Sequence, residues 1–156
     1  MPIDNLPRYN LAHSVSAQTV QTAFESLWHA KGYVHTYAER PMQIVNQLLA
    51  AVSECLTPNW DGEGAKPVSD VTIANARQFL LLIPKHLPLP EITVDHDGEI
   101  SFEWYVRKYR SFSLSIGENR MMSYSGSINS SKWYGVGYLG DAIPDTILND
   151  LSAVLK

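Results

Sequence analysis

The sequence contains a single cysteine, Cys55, and that scarcity removes two structural classes at once. No internal disulfide can form, and no zinc site built from several thiolates is available. Long apolar runs are missing too. The longest, FLLLI at 79–83, falls far short of the roughly 18 residues of a membrane span. The opening residues, MPIDNLPRYNLAHSVS, have no basic segment leading into an apolar one, so no signal peptide is expected, and the expected location is cytoplasmic. Basic charge is sparse. Twelve Lys and Arg stand against sixteen Asp and Glu, a formal net charge of -4, which argues against nucleic acid because phosphate contacts need concentrated cations. The one dense basic stretch, RKYR at 107–110, reads as a hairpin tip. A nucleic-acid surface would need distant residues such as Arg77, Arg107, Lys108, Arg110 and Arg120.

Catalytic and metal signatures are equally thin. His13, His29, His35, His86 and His96 are scattered, with no pair at the i,i+4 spacing of a zinc helix. The serines of 111–131 stand in no G-x-S-x-G context. Cys55 is expected on the apolar side of a helix, where a thiol is inert rather than nucleophilic. No metal or cofactor is expected.

What is present is enough for one core: 156 residues, 45% hydrophobic and 18% charged, the composition of a folded single domain. Residues 1–15 hold two prolines and no period, and read as an irregular arm packed through Leu6, Tyr9 and Leu11. A helical part covers 16–83. Its first helix runs from Ser16 to Gly32 with Val20, Phe24, Leu27 and Trp28 on one side; the segment 33–40 reads equally as strand or loop. Pro41 opens a second helix through about Leu56, with Ile44, Val45, Leu48, Leu49, Val52 and Cys55 or Leu56 in its stripe. A third helix, capped by Ser69 or Asp70, runs to about Ile83 before Pro84.

From Glu91 the apolar period changes to two. EITVDHDGEISFEWYV reads as two strands joined across Asp97-Gly98, with Ile100, Phe102, Trp104 and Val106 on one face. RSFSLSI, RMMSYS and KWYGVGYL supply further strands, with a Gly- and Ser-rich loop ahead of the last. IPDTILNDLSAVLK closes the chain as a helix whose Ile147, Leu148, Leu151, Val154 and Leu155 cover the sheet. Residues 91–156 are thus sheet plus closing helix. The expected fold is a two-layer α+β domain: three N-terminal helices, an antiparallel sheet of four or five strands, and a C-terminal helix packed on it.

Between the second and third helices lies TPNWDGEGAKPVS, residues 57–69. Its structural reading uses Gly62 and Gly64 at positive φ, Trp60 as an apolar pin, and Asp61 bonding its own backbone. Its functional reading makes Asp61 and Glu63 a carboxylate pair. Two acids alone are too few for a calcium loop, and the glycines follow no phosphate-loop pattern. NWDGEGAKPVS, then FL, then PEITVDHDGEISFEWY resembles a widespread family of small uncharacterised bacterial proteins, often of mobile-element context. These share an N-W-D-G-x-G-A segment, a helix, and a D-G hairpin leading into an E-W strand. The resemblance covers about residues 58–106. It implies that Trp60, Asp61, Gly62, Gly64, Ala65, Gly98, Glu103 and Trp104 matter together, and it implies no chemistry.

Aromatics are concentrated in the strand half, and alternation cannot send all of them inward. Tyr105 and either Trp133 or Tyr134 are expected to face away from the helices, and Tyr105, Trp133 and Tyr134 are the candidate interface anchors. Acids at 91, 95, 97, 99 and 103 ring the first hairpin and suit a basic partner. The reading is therefore a non-enzymatic domain that binds another protein through this face or the 57–69 loop, with an immunity-like or accessory role implied by the resemblance. Its rival is an enzyme or small-ligand binder with a cleft between the loop and the first hairpin, using Asp61, Glu63 and Glu103.

Overall fold

The computed structural model describes residues 39–156, all within one compact unit. The arm at 1–15, the helix at 16–32 and the segment 33–38 lie outside the described residues, as does the part of the single-domain expectation that rests on them. The described chain is an α+β fold. α1 spans Glu39–Val52, α2 Asp70–Leu82 and α3 Asp145–Leu155; the strands are β1 Glu91–Val94, β2 Ile100–Arg107, β3 Arg110–Ile116, β4 Met121–Ile128 and β5 Ser131–Tyr138.

Pro41 lies in the first turn of α1, where its missing N–H is harmless, and Ile44, Val45, Leu48 and Val52 are buried. The helix stops at Val52 rather than running on to Leu56. Cys55 N–H donates to Val52 O, and Cys55 O accepts from Val68 N–H, each at 2.9 Å. The chain leaves the helical path so that these two residues can close the loop between them. Cys55 is buried as expected, but beyond the helix end rather than on its stripe. Ser69 caps α2, its Oγ accepting from Thr72 N–H at 3.2 Å. Arg40 donates through Nη2 to Leu87 O at 2.9 Å and ties the start of α1 to the chain beyond α2.

The five strands form an antiparallel meander in sequence order. The hairpin connections are too short for parallel crossovers. One face is core: Ile100, Phe102, Trp104, Phe112, Leu114, Ile116 and Met122 are all buried. α2 lies over β2 and β3, and α3 over β2, β3 and β4. Phe79 of α2 meets Phe102 at 4.8 Å and Trp104 at 6.5 Å between ring centroids, and Trp104 meets Phe112 edge-on at 6.0 Å. The Trp104 indole N–H is satisfied by Pro88 O at 2.9 Å. From α3, Ile147, Leu151 and Val154 are buried, while Leu148 and Leu155 are half-buried at its margin.

Two expectations for the sheet also fail for physical reasons. Val106 was expected inward, but the register shifts between Tyr105 and Arg107, and this bulge turns Val106 out to 44% exposure. The Gly- and Ser-rich stretch after Ser125 was expected as a loop, but Gly126, Ser127 and Ile128 extend β4 and Asn129 and Ser130 make the turn. Its glycine is a steric vacancy rather than a turn signal. A Cβ at Gly126 would stand 2.3 Å from Trp133 Cζ2, and one at Gly135 would stand 2.5 Å from Tyr124 Oη. Each large ring lies across the glycine of the neighbouring strand.

That interlock yields a prediction. Gly126→Ala forces Trp133 out of its place and is expected to cost about 2 kcal/mol in urea unfolding, within the range of overpacked cores. Adding Trp133→Leu is expected to recover part of the loss. A Gly126→Ala protein as stable as wild type would show that the ring does not hold this position.

Candidate functional site

Sequence reasoning pointed to two regions, the 57–69 loop and the sheet face away from the helices. The loop is built by polar bonds to its own backbone. Asn59 N–H donates to Ala65 O at 2.8 Å, and Asn59 Oδ1 accepts from Gly64 N–H at 2.7 Å. Asp61 Oδ1 accepts from Glu63 N–H at 2.8 Å and from Ala65 N–H at 3.0 Å. Asn59, Gly62 and Gly64 all take positive φ to make this fold-back possible. Trp60 is half-buried rather than a core pin; its indole N–H donates to Lys66 O at 3.0 Å.

The loop then docks on the β1–β2 turn. Lys66 N–H donates to His96 O at 2.9 Å, and Asp61 Oδ2 lies 2.8 Å from His96 Nδ1. Gly98, at φ 86°, brings its backbone so close that a Cβ there would stand 2.9 Å from Pro67 O. One D-G segment is thus the socket for the other. Sequence reasoning missed His96 and Asn59. Their only signal was position, beside a D-G turn in one case and beside Trp60 in the other.

The Asp61 carboxyl is held down at about 2, below its ordinary 3.8. The Glu63 amide is the largest cause; desolvation opposes it as the next largest, and the Ala65 amide and His96 add to the lowering. Such an acid is a permanently ionised acceptor. It is not a proton donor for catalysis near neutral pH.

The three acids of the ligand-cleft reading do not converge. Asp61 is turned onto His96, and Glu63 is exposed. Glu103 pairs across from Glu91, five residues along the chain from His96, or about 16 Å of extended strand. A cavity of about 390 Å3 does lie between the loop and the first hairpin, but Lys66, Ser69, Thr72, Asp97 and Glu118 are among its lining and none of the three acids is. Among the described residues no group of three or more His, Cys, Asp or Glu could hold a metal ion, and no helix is long and apolar enough to cross a membrane. Of the cations considered for a nucleic-acid surface, Arg110 donates to Val154 O and Ala153 O at the end of α3, and Arg120 to Gln78 Oε1. Those two are engaged inside the fold.

The outer sheet face is the more distinctive region. Across the three central strands it carries Ser101, Ser111, Ser113, Ser115, Ser123, Ser125 and Ser127, which register places side by side. Small side chains leave a shallow depression of about 270 Å3 over the sheet, with Asp95, Ser113 and Ser125 in its lining. Ser115 Oγ donates to Glu99 Oε2 at 2.8 Å, and Ser101 Oγ donates to Asp95. Along the β5 margin stand Tyr134, 90% exposed, Val136, 69%, and Tyr138, 55%; near the β2–β3 tip Tyr105 is 67% exposed. Glu91 and Glu103 are exposed on the opposite, β1 side.

Tyr105 and Tyr134 therefore face outward as expected. Trp133 does not. Its register partner is Gly126, which shares a face with Phe112, so alternation puts Trp133 on the helical side, where it is half-buried. Val136 and Tyr138 take the place assigned to it, and their even spacing from Tyr134 was the signal that identified them.

Comparison with family models, with curated proteins and with solved structures returns no significant match.

The acid behaviour of the loop gives a test. Because the folded carboxyl is depressed, Asp61 stabilises the fold above its ordinary range, and the contribution is lost as pH falls from 3.8 toward about 2. In urea unfolding measured from pH 5 to pH 2, Asp61→Asn is expected to flatten the acid limb relative to wild type. Parallel curves for the two proteins would contradict the bonding assigned to Asp61.

Proposed function

We propose that this chain is a non-enzymatic domain that binds another protein through the outer face of its sheet. The observation that carries the reading is the combination on that face of a serine-covered centre and an exposed tyrosine margin. Serine side chains keep the centre low, so a partner can approach the sheet closely and find hydroxyls that donate and accept. Tyrosines supply rigid apolar area with a polar tip, the property that makes them common interface anchors. The exposed acids on the β1 side favour a partner with a basic rim, through steering more than affinity.

The 57–69 loop takes a supporting part in this reading. Its acid and amides are consumed in holding it to the first hairpin, which keeps that hairpin and its exposed acids fixed beside the face. The resemblance to small bacterial proteins of mobile-element context makes an immunity-like or accessory role in the cytoplasm the specific form of the proposal. An enzyme or small-ligand site at Asp61, Glu63 and Glu103 is the weaker reading, because these acids are turned to separate places.

A photo-crosslinking amino acid placed at Tyr105 or Tyr134, in cells that naturally make the chain, is expected to trap the same protein from both positions. Placed at Ala74, on the exposed side of α2, it is expected to trap none of it. With that partner in hand, Tyr105→Ala and Tyr134→Ala are each expected to weaken binding about thirtyfold, as interface tyrosines do. Equal trapping from all three positions, or unchanged affinity in both alanine variants, would place the interface elsewhere.

A further inference from the structure

The two edges of the sheet are treated differently. β1 has four residues and follows Pro88 and Pro90, and α1 packs against it. Asp95 N–H donates to Glu99 O; alternation along the ladder then leaves only Ile92 and Val94 with backbone groups directed away from β2. β5 has eight residues, Ser131–Tyr138. It contains no proline, its ladder with β4 is unbroken through Ile128–Ser131, and its only charge is Lys132. Among the described residues none pairs with its free side.

The direction of its backbone groups can be read from the ladder. Leu139 N–H donates to Arg120 O at 2.9 Å. Alternation then turns the N–H and C=O of Ser131, Trp133, Gly135 and Gly137 toward β4 and those of Lys132, Tyr134, Val136 and Tyr138 to the open edge. These four residues also carry the outward side chains, and all are exposed. A long, straight edge with this composition lacks the devices that usually blunt edges: prolines, bulges, short length or several charges.

We propose that β5 pairs with β5 of a second copy, antiparallel about a two-fold axis at Gly135, so that the two sheets become one. The register follows from the free groups. Centred on Gly135, all four outward residues of each copy find partners of the same bonding class; centred on Tyr134 or Val136, one in each copy is left over. The centred register sets Tyr134 opposite the partner's Val136 and Lys132 opposite the partner's Tyr138. Aromatic against β-branched is a favourable cross-strand pair. Charge selects a second copy over an unrelated strand in one respect: on a chain of net charge -4, β5 carries no acid, so two copies meet there without opposing carboxylates. An isologous contact of this kind closes at two and does not propagate. The pairing shares Tyr134 with the face-binding reading, and Tyr105 separates the two, because it lies on β2, three strands from the β5 edge, where loss of the dimer leaves it unchanged.

The test is the mass of the intact chain by sedimentation velocity up to about 100 µM, a range that captures weak specific interfaces. Wild type is expected to dimerise. Tyr134→Lys with Val136→Lys sets like charges opposite each other twice and is expected to weaken the dimer at least about tenfold. Tyr134→Lys with Val136→Glu sets opposite charges in the same places and is expected to keep it. Val136→Pro removes an N–H that only the second copy uses, and is expected to give a folded monomer by circular dichroism. A wild-type chain monomeric throughout, including one whose edge accepts only an added foreign peptide, overturns the proposal. So does a Lys/Lys variant as dimeric as wild type, or a Lys/Glu variant that is monomeric.

Discussion

Phe79 stands where the helical layer meets the sheet, 4.8 Å from Phe102 and 6.5 Å from Trp104, with almost no exposure of its own. Through it α2 is fixed over β2 and β3, and the rest of the arrangement depends on that fixation. Once one face of a meander is committed to helices, alternation commits every second residue to the other face. Nothing in the described chain covers that second face. Its composition is suited to being uncovered, with serines where the sheet is broad and tyrosines only where it ends.

The same alternation explains the two roles of the polar residues. On the helical side, polar groups are spent on closing the fold: Asn75 donates to Gly117 O at 2.9 Å and Glu118 O at 3.1 Å, binding α2 to the β3–β4 turn, and Arg110 satisfies carbonyls at the end of α3. In the 57–69 loop, Asn59 and Asp61 do the same for a connection with few apolar contacts of its own. The serine hydroxyls at the centre of the outer face have fewer such obligations, with Ser101, Ser111, Ser115 and Ser127 engaged only with neighbours on the face.

Much of this was legible in the sequence where a local rule acts alone. The period-two runs marked every strand, the prolines and Ser69 marked the helix starts and the end of α2, and Asp97-Gly98 marked the first hairpin. The failures came where a distant residue decides. Gly126 read as a loop signal because the ring that fills its vacancy belongs to the neighbouring strand, and Trp133 was offered as an outward anchor for the same reason. Val106 followed the period, but a bulge broke it. Asp61 and Glu63 read as a pair of acids, although only the docking of the loop on His96 and Gly98 shows that Asp61 is a structural acceptor. The outward tyrosines were partly visible: Tyr105 and Tyr134 follow from parity within a strand, which needs no tertiary information.

The central claim is that the outer face, which no described residue covers, is occupied by another protein in the cell. Hydroxyl-radical footprinting of the tyrosines in living cells and on the purified chain tests it most directly. Tyr105 decides the matter, because pairing at the β5 edge alone would leave it untouched, while Tyr109 at the hairpin tip, 59% exposed, serves as the internal reference. The account predicts that Tyr105 reacts readily in the purified chain and is protected in cells while Tyr109 stays reactive in both. Equal reactivity of Tyr105 in the two settings would contradict it.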